Sequence, residues 1–216
     1  MPLSNPWHLP AVLRYLAAIN PTRVLDVGVG MGTYGFMIRQ HMDIAHERLA
    51  RSAWRLTIDG IEIFEPYRNP IWEFAYNSVQ IGDARQLLPF CGQYDVVVCN
   101  DVLEHFPKAE AVRMAVEMLK HAPVVIATTP NYDCPQGNWG GNEAETHRCL
   151  LTAGDLPNVV VERQTTVTAC FVLSSAAEQI RLLKEADLHS PQISPPRAWS
   201  LSHRLQAKTR KLLGWG

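Results

Sequence analysis

Acid or amide side chains stand where four successive apolar runs of this sequence end. They are Asp26 in Val24-Leu25-Asp26-Val27, Glu62 in Ile61-Glu62-Ile63, Asp83 in Gly82-Asp83-Ala84, and Asn100 with Asp101 after Val96-Val97-Val98-Cys99. An ionised carboxylate accepts several hydrogen bonds, so such a series suits a ligand carrying hydroxyl and amino groups. Gly28, Gly30 and Gly32 alternate just after the first run. Glycines there permit a tight turn and a close backbone approach, with a following helix N-terminus aimed at the ligand. Two histidines can take up a proton near neutral pH. His105 ends Asp101-Val102-Leu103-Glu104-His105, and His147 follows Glu143 and Glu145. Each of these features also has a plain structural reading. An acid can cap a helix or face solvent in a turn. His105 and His147 can brace their loops, and the glycines can form a turn with no ligand.

Such residues act together only if a scaffold brings separate strand ends to one edge. The pattern predicts helices at Pro10–Ile19, Thr33 to about Ala53, Lys108–His121 and about Ala176–Leu188. On the third of these, Val112, Ala115, Val116 and Leu119 form an apolar stripe. Strands are predicted at Arg23–Val27, Leu56–Ile63, Ser78–Gly82, Tyr94–Cys99 and Pro123–Thr128. A short helix or loop covers Asn69–Tyr76, and a long irregular loop covers Asn131–Arg148. Two late strands, Asn158–Thr166 and Thr168–Ser174, have no helix between them and fit an antiparallel hairpin at the sheet edge. Alternating strands and helices imply an α/β fold with a parallel sheet, whose ligands bind beyond the strands' carboxyl ends.

The glycine loop satisfies two readings. Gly30-Met31-Gly32-Thr33-Tyr34-Gly35 matches the dinucleotide fingerprint GxGxxG, which would make the chain an NAD(P)-dependent oxidoreductase. Asp26 argues the other way. A carboxylate there would repel a pyrophosphate and suit the ammonium of an amino-acid-bearing cofactor such as S-adenosylmethionine (SAM). Glu62 is placed to accept from both hydroxyls of a ribose. Asp59 is its rival, but Gly60 and Ile61 carry the strand past it.

The stretches VLDVGVGMG, GIEIFEPY, QIGDAR, YDVVVCNDVLEHF and VVIATTPN resemble the motifs of the class I SAM-dependent methyltransferases in order and spacing, over residues 20–175. The resemblance implies a Rossmann-like three-layer sandwich with a mostly parallel seven-stranded sheet and one antiparallel strand. It implies SAM as cofactor, with Asp26, Gly28, Gly30 and Gly32 around its methionine end. Glu62 would then meet the ribose, Asp83 the adenine, and Asn100 and Asp101 the sulfonium. In this family the Glu-His pair at 104–105 often anchors the loop after strand four. A narrower match, GNEAETHR at 141–148, is similar to a segment of bacterial methyltransferases found near glycan or cell-surface biosynthesis. CLLTAGDL follows it here, where an aromatic would be expected.

The expected activity is methyl transfer to oxygen, nitrogen or carbon of a small molecule or glycan, with oxygen preferred. A non-catalytic SAM-binding module is the remaining alternative. His147 and His105 are the candidate bases. Tyr132 and Trp139 are candidates for an aromatic wall. No metal is expected. Asp101, Asn131, Asp133 and His147 offer an oxygen-rich set, but Pro130-Asn131 stands where an Asp-Asn pair would be needed.

Bulk properties narrow the classes further. The 216 residues suffice for one catalytic domain, expected at 1–189, followed by a basic tail at 190–216. The tail holds Arg197, Arg204, Lys208, Arg210 and Lys211, no acid, and leucines at helical spacing. Such a segment can touch an anionic membrane surface or stay solvated. A net charge of −1 gives no sign of nucleic-acid binding. The five cysteines form no CxxC pair, and Cys99 and Cys170 lie in apolar runs as core residues. With no leader-like start and no membrane-length apolar run, the expected compartment is the cytoplasm.

Overall fold

The computed structural model describes residues 5–190. Its helices are α1 (Leu9–Ile19), α2 (Thr33–Met42), α3 (Pro70–Ala75), α4 (Ala84–Leu87), α5 (Lys108–His121) and α6 (Ala177–Leu188). The strands are β1 (Arg23–Val27), β2 (Thr57–Glu62), β3 (Ser78–Ile81), β4 (Val96–Asn100), β5 (Val124–Pro130), β6 (Val159–Gln164) and β7 (Thr168–Ser174). They form one seven-stranded sheet in the order β3-β2-β1-β4-β5-β7-β6. Strand β7 runs antiparallel to β5 and β6, and the other pairs are parallel. This is the Rossmann-like sheet expected from the sequence.

Strand order reverses between β1 and β4, so the connections leaving these two strands diverge and open a crevice at their carboxyl ends. Successive strand side chains face opposite layers. Val96 and Val98 of β4 pack with α1, α2 and α6, while Val97 and Cys99 pack with α5. All four are fully buried, as is Cys170.

Three local expectations need correction. The second helix ends at Met42, well before Ala53. The buried Asp43 carboxylate accepts from Arg39 at 2.5 Å, Arg48 at 2.8 Å and the Arg55 backbone N–H at 2.9 Å. Gathering those donors turns the chain back on itself, and local helix preference yields to a buried ion pair. On α5 the buried face is Ala111, Met114, Ala115 and Met118, while Val116 is 43% exposed. Both stripes have helical spacing, and the one with two alanines lets the helix approach the sheet. The short α4 was not expected; Asp83 caps it by accepting from the Arg85 backbone N–H at 2.9 Å. The basic tail falls outside the described residues.

Candidate active site

A cavity of about 370 Å³ lies beyond the carboxyl ends of β1, β2, β3 and β4. Gly28, Gly30, Glu62, Asp83, Asn100 and Asp101 all line it. The loop after β1 makes room for it. Gly28 has φ +83°, and a Cβ there would collide with Val102 Cγ2. Its N–H donates to Ile61 O at 2.9 Å, tying the turn to β2. Gly32 also has a left-handed φ, but it faces Ile71 and Trp72 of α3 rather than the cavity.

Glu62 is preorganised by the glycine loop. One carboxylate oxygen accepts from Gly30 N–H at 2.8 Å, the other from Phe64 N–H at 2.9 Å. Burial raises its pKa, and these backbone donors oppose the rise. Asp59 is remote from the cavity and is held by Ser78, Tyr94 and Arg23. Asp83 pairs with Arg85 at 2.6 Å, which holds its carboxyl below the usual range. Arg85 in turn reaches Glu110, also at 2.6 Å. Asp101 has φ +53° and accepts from Thr128 Oγ1 at 2.9 Å and the Asn5 N–H at 2.5 Å. Its pKa is raised by burial.

Asp26 does not reach the cavity. Strand alternation sends its side chain to the layer that holds Val24, where it accepts from the Tyr76 hydroxyl at 2.5 Å. Burial lifts its pKa to about 7, against that hydrogen bond. In the structure this carboxylate braces the loop from beneath. Tyr76 completes the brace by accepting from Gly35 N–H at 3.2 Å.

Of the two histidines, His105 lines the cavity and His147 does not. Their ring centroids are 5.0 Å apart. Burial lowers both pKa values, that of His147 to about 4, so both rings are neutral at pH 7. His147 Nδ1 lies 2.6 Å from the Cys134 carbonyl. Glu104, His105 and His147 offer ligand atoms within 4.8 Å of one another. The oxygen-rich set weighed from the sequence is not assembled. Asp101 is engaged as above, and Asn131 donates to Gln164 and to the Thr165 carbonyl.

The 131–149 loop forms one wall of the cavity through Asn142, Ala144, Glu145 and Arg148. Tyr67 OH donates to Glu145 Oε1 at 2.9 Å, and Gln136 Nε2 to the Glu145 carbonyl at 2.8 Å. Arg148 N–H donates to Glu104 O at 2.7 Å. Tyr132 and Trp139 do not line the cavity. The roles of Tyr67, Asn142 and Arg148 have no spacing signal in the sequence. They lie within the GIEIFEPY and GNEAETHR stretches.

A methyltransferase-domain family profile matches residues 8–169. The ubiquinone biosynthesis O-methyltransferase of Escherichia coli O127:H6 (strain E2348/69 / EPEC) is 28% identical over 134 residues, covering 59% of this chain and 50% of that protein. The chain thus spans about half the length of the curated relatives it matches. Among solved structures, the N-terminal domain of EvdMO1 with S-adenosylhomocysteine (SAH) and D-fucose aligns with a TM-score of 0.53 at 18% identity, over 76% of this chain and 80% of that one. Magnesium protoporphyrin IX methyltransferase (ChlM) from Synechocystis PCC 6803 with bound SAM aligns with a TM-score of 0.52 at 16% identity, over 76% of each chain. At these identities the structural likeness is one of fold. Among the described residues no helix is long and apolar enough to cross a membrane.

Proposed function

This chain belongs to the methyltransferase-domain family, the class I SAM-dependent group, and on that premise we propose that it methylates an oxygen of a small molecule or glycan. The observation that carries this reading is the convergence of Gly28, Gly30, Glu62, Asp83, Asn100 and Asp101 on one cavity at the strand-order reversal. The family match favours SAM over the dinucleotide that GxGxxG alone allows.

The residues present fit a nucleoside sulfonium. Gly28 and Gly30 bring bare backbone to the cavity wall, where a ligand can approach closely. The Glu62 carboxylate, held by backbone N–H groups of the glycine loop and of Phe64, has acceptor capacity left for a ribose hydroxyl. Asp83 is the candidate partner of the adenine amino group, and Asn100 and Asp101 flank the sulfonium end. When bound, SAM supplies an electrophilic methyl carbon. The chain's task is then to hold an acceptor lone pair in line with it. His105, neutral and at the cavity wall, is the histidine positioned to act on the acceptor hydroxyl. His147 supports it from behind. The O-methyltransferase relatives and the D-fucose in the EvdMO1 structure support an oxygen acceptor.

The test is a thermal shift, followed by transfer of radiolabelled methyl from SAM into fractionated small molecules and glycans. SAM and SAH are expected to raise the melting temperature, and NAD and NADP to leave it unchanged. Stabilisation by NAD alone overturns the reading.

A further inference from the structure

We propose that Glu104, His105 and His147 bind a divalent transition-metal ion beside the methyl-transfer cavity. The inference deepens the methyl-transfer reading, on which the ion's use rests, though its binding does not. The three ligand atoms lie within 4.8 Å of one another. They come from two distant segments, the 3-10 turn Leu103–His105 and the loop. Hydrogen bonds to Glu104 O from the N–H groups of Arg148 (2.7 Å) and Cys149 (3.2 Å) fasten those segments together.

Two of the three side chains hold a buried polar atom without a well-formed hydrogen bond. Glu104 is 2% exposed, and its Oε2 makes no well-formed hydrogen bond. His105 Nδ1 is buried and also makes none. Leaving such atoms unsatisfied is costly, more so where a charge is involved. A cation removes both costs at once. His147 is set up by its other nitrogen. A carbonyl only accepts, so the 2.6 Å contact to Cys134 O places the proton on Nδ1 and leaves the lone pair on Nε2. Metal-binding imidazoles are held in this way, with the second N–H on a carbonyl or carboxylate.

The distances allow closure. A point equidistant from three atoms 4.8 Å apart is about 2.8 Å from each, and metal–ligand bonds to His and Glu are about 2.0–2.2 Å. Side-chain movements of under about 1 Å therefore complete the site. Two imidazole nitrogens and one carboxylate oxygen suit Zn²⁺, Mn²⁺ or Fe²⁺ better than Mg²⁺ or Ca²⁺, which prefer oxygen. His105 borders the cavity, so an ion there acts on the acceptor as a Lewis acid. The acceptor hydroxyl releases its proton to solvent. Its oxygen bonds to the methyl carbon, and the carbon–sulfur bond breaks with its electron pair left on sulfur. His105 then acts on the acceptor hydroxyl through the ion it holds.

The full chain, stripped with EDTA, is titrated calorimetrically with Zn²⁺, Mn²⁺ and Mg²⁺, and its metal content is measured by mass spectrometry. One Zn²⁺ or Mn²⁺ per chain is expected, with Mg²⁺ at least tenfold weaker. Glu104→Gln and His147→Ala are each expected to weaken binding by about 10–100-fold. Circular dichroism confirms that the variants fold, and the wild-type stoichiometry is decisive on its own. No stoichiometric uptake, uptake unchanged in His147→Ala, or a thiolate charge-transfer band with Co²⁺ overturns the site. SAH thermal shifts run in parallel separate the two ideas. SAH binding without metal sinks only the metal site, and metal binding without SAH sinks only the methyl-transfer reading.

Discussion

The Tyr67 hydroxyl donates to Glu145 Oε1 at 2.9 Å, joining the segment after β2 to the 131–149 loop at the cavity wall. Burial pushes the Tyr67 pKa up to about 12, so the hydroxyl remains a donor throughout the physiological range. Tyr67→Phe removes this bond, together with the 3.3 Å contact from Asn142 Nδ2. A hydrogen bond to a charged group contributes about 1.5–3 kcal/mol. The melting temperature should fall by several degrees, and amide exchange at residues 142–148 should quicken. Exchange unchanged in that segment would show that other contacts hold the loop.

Glu62 and Asp59 separate by position along one strand. Glu62→Gln keeps the shape but exchanges one acceptor oxygen for a donor amide facing a backbone N–H. SAH affinity is expected to drop about 10–100-fold, the size of a lost charged hydrogen bond. Asp59→Asn lies away from the cavity and should leave affinity unchanged. Calorimetry of both variants checks this; equal losses would put the ribose elsewhere.

Gly28 combines a positive φ with a side chain in the way. Gly28→Ala should abolish detectable SAH binding and lower stability. Adding Val102→Ala removes the obstructing Cγ2 and should restore part of both. The residual deficit reflects the left-handed backbone, about 1–2 kcal/mol for a non-glycine residue. No recovery in the double variant would mean that the clash is not the cause.

Asp26 carries a pH signature. Its pKa rises from 3.8 to about 7 in the folded chain, chiefly through burial. Folding is therefore favoured by this group below its unfolded value, and that contribution is lost as pH rises towards 7. Asp26→Asn has no such dependence. The variant's stability relative to wild type should climb by about 1.4 kcal/mol per pH unit between pH 4 and 7. Urea unfolding at several pH values measures the slope. A flat difference would show that Asp26 is ionised in the fold.

Periodicity and glycine placement located every strand, because those signals lie within a few consecutive residues. The glycine loop and the acids at 62, 83 and 101 were legible for the same reason, since strand ends mark the rim of an α/β sheet. The facing of Asp26 is not legible in the same way. Strand alternation turned it to the Val24 layer, where Tyr76 from beyond α3 was waiting. The overlong second helix failed on a partner as well, since Asp43 draws in Arg48 and Arg55 from beyond the helix end.

What the sequence determined by itself is the order of elements and the class of cofactor, because local patterning and short motifs carry both. Only the tertiary structure decided which side chains meet. Tyr67 finds Glu145, and His105 finds His147, across stretches of chain whose lengths encode no contact. Such pairs form where the folded sheet and loop exclude water. Burial then shifts the proton affinities of Tyr67, His105 and His147.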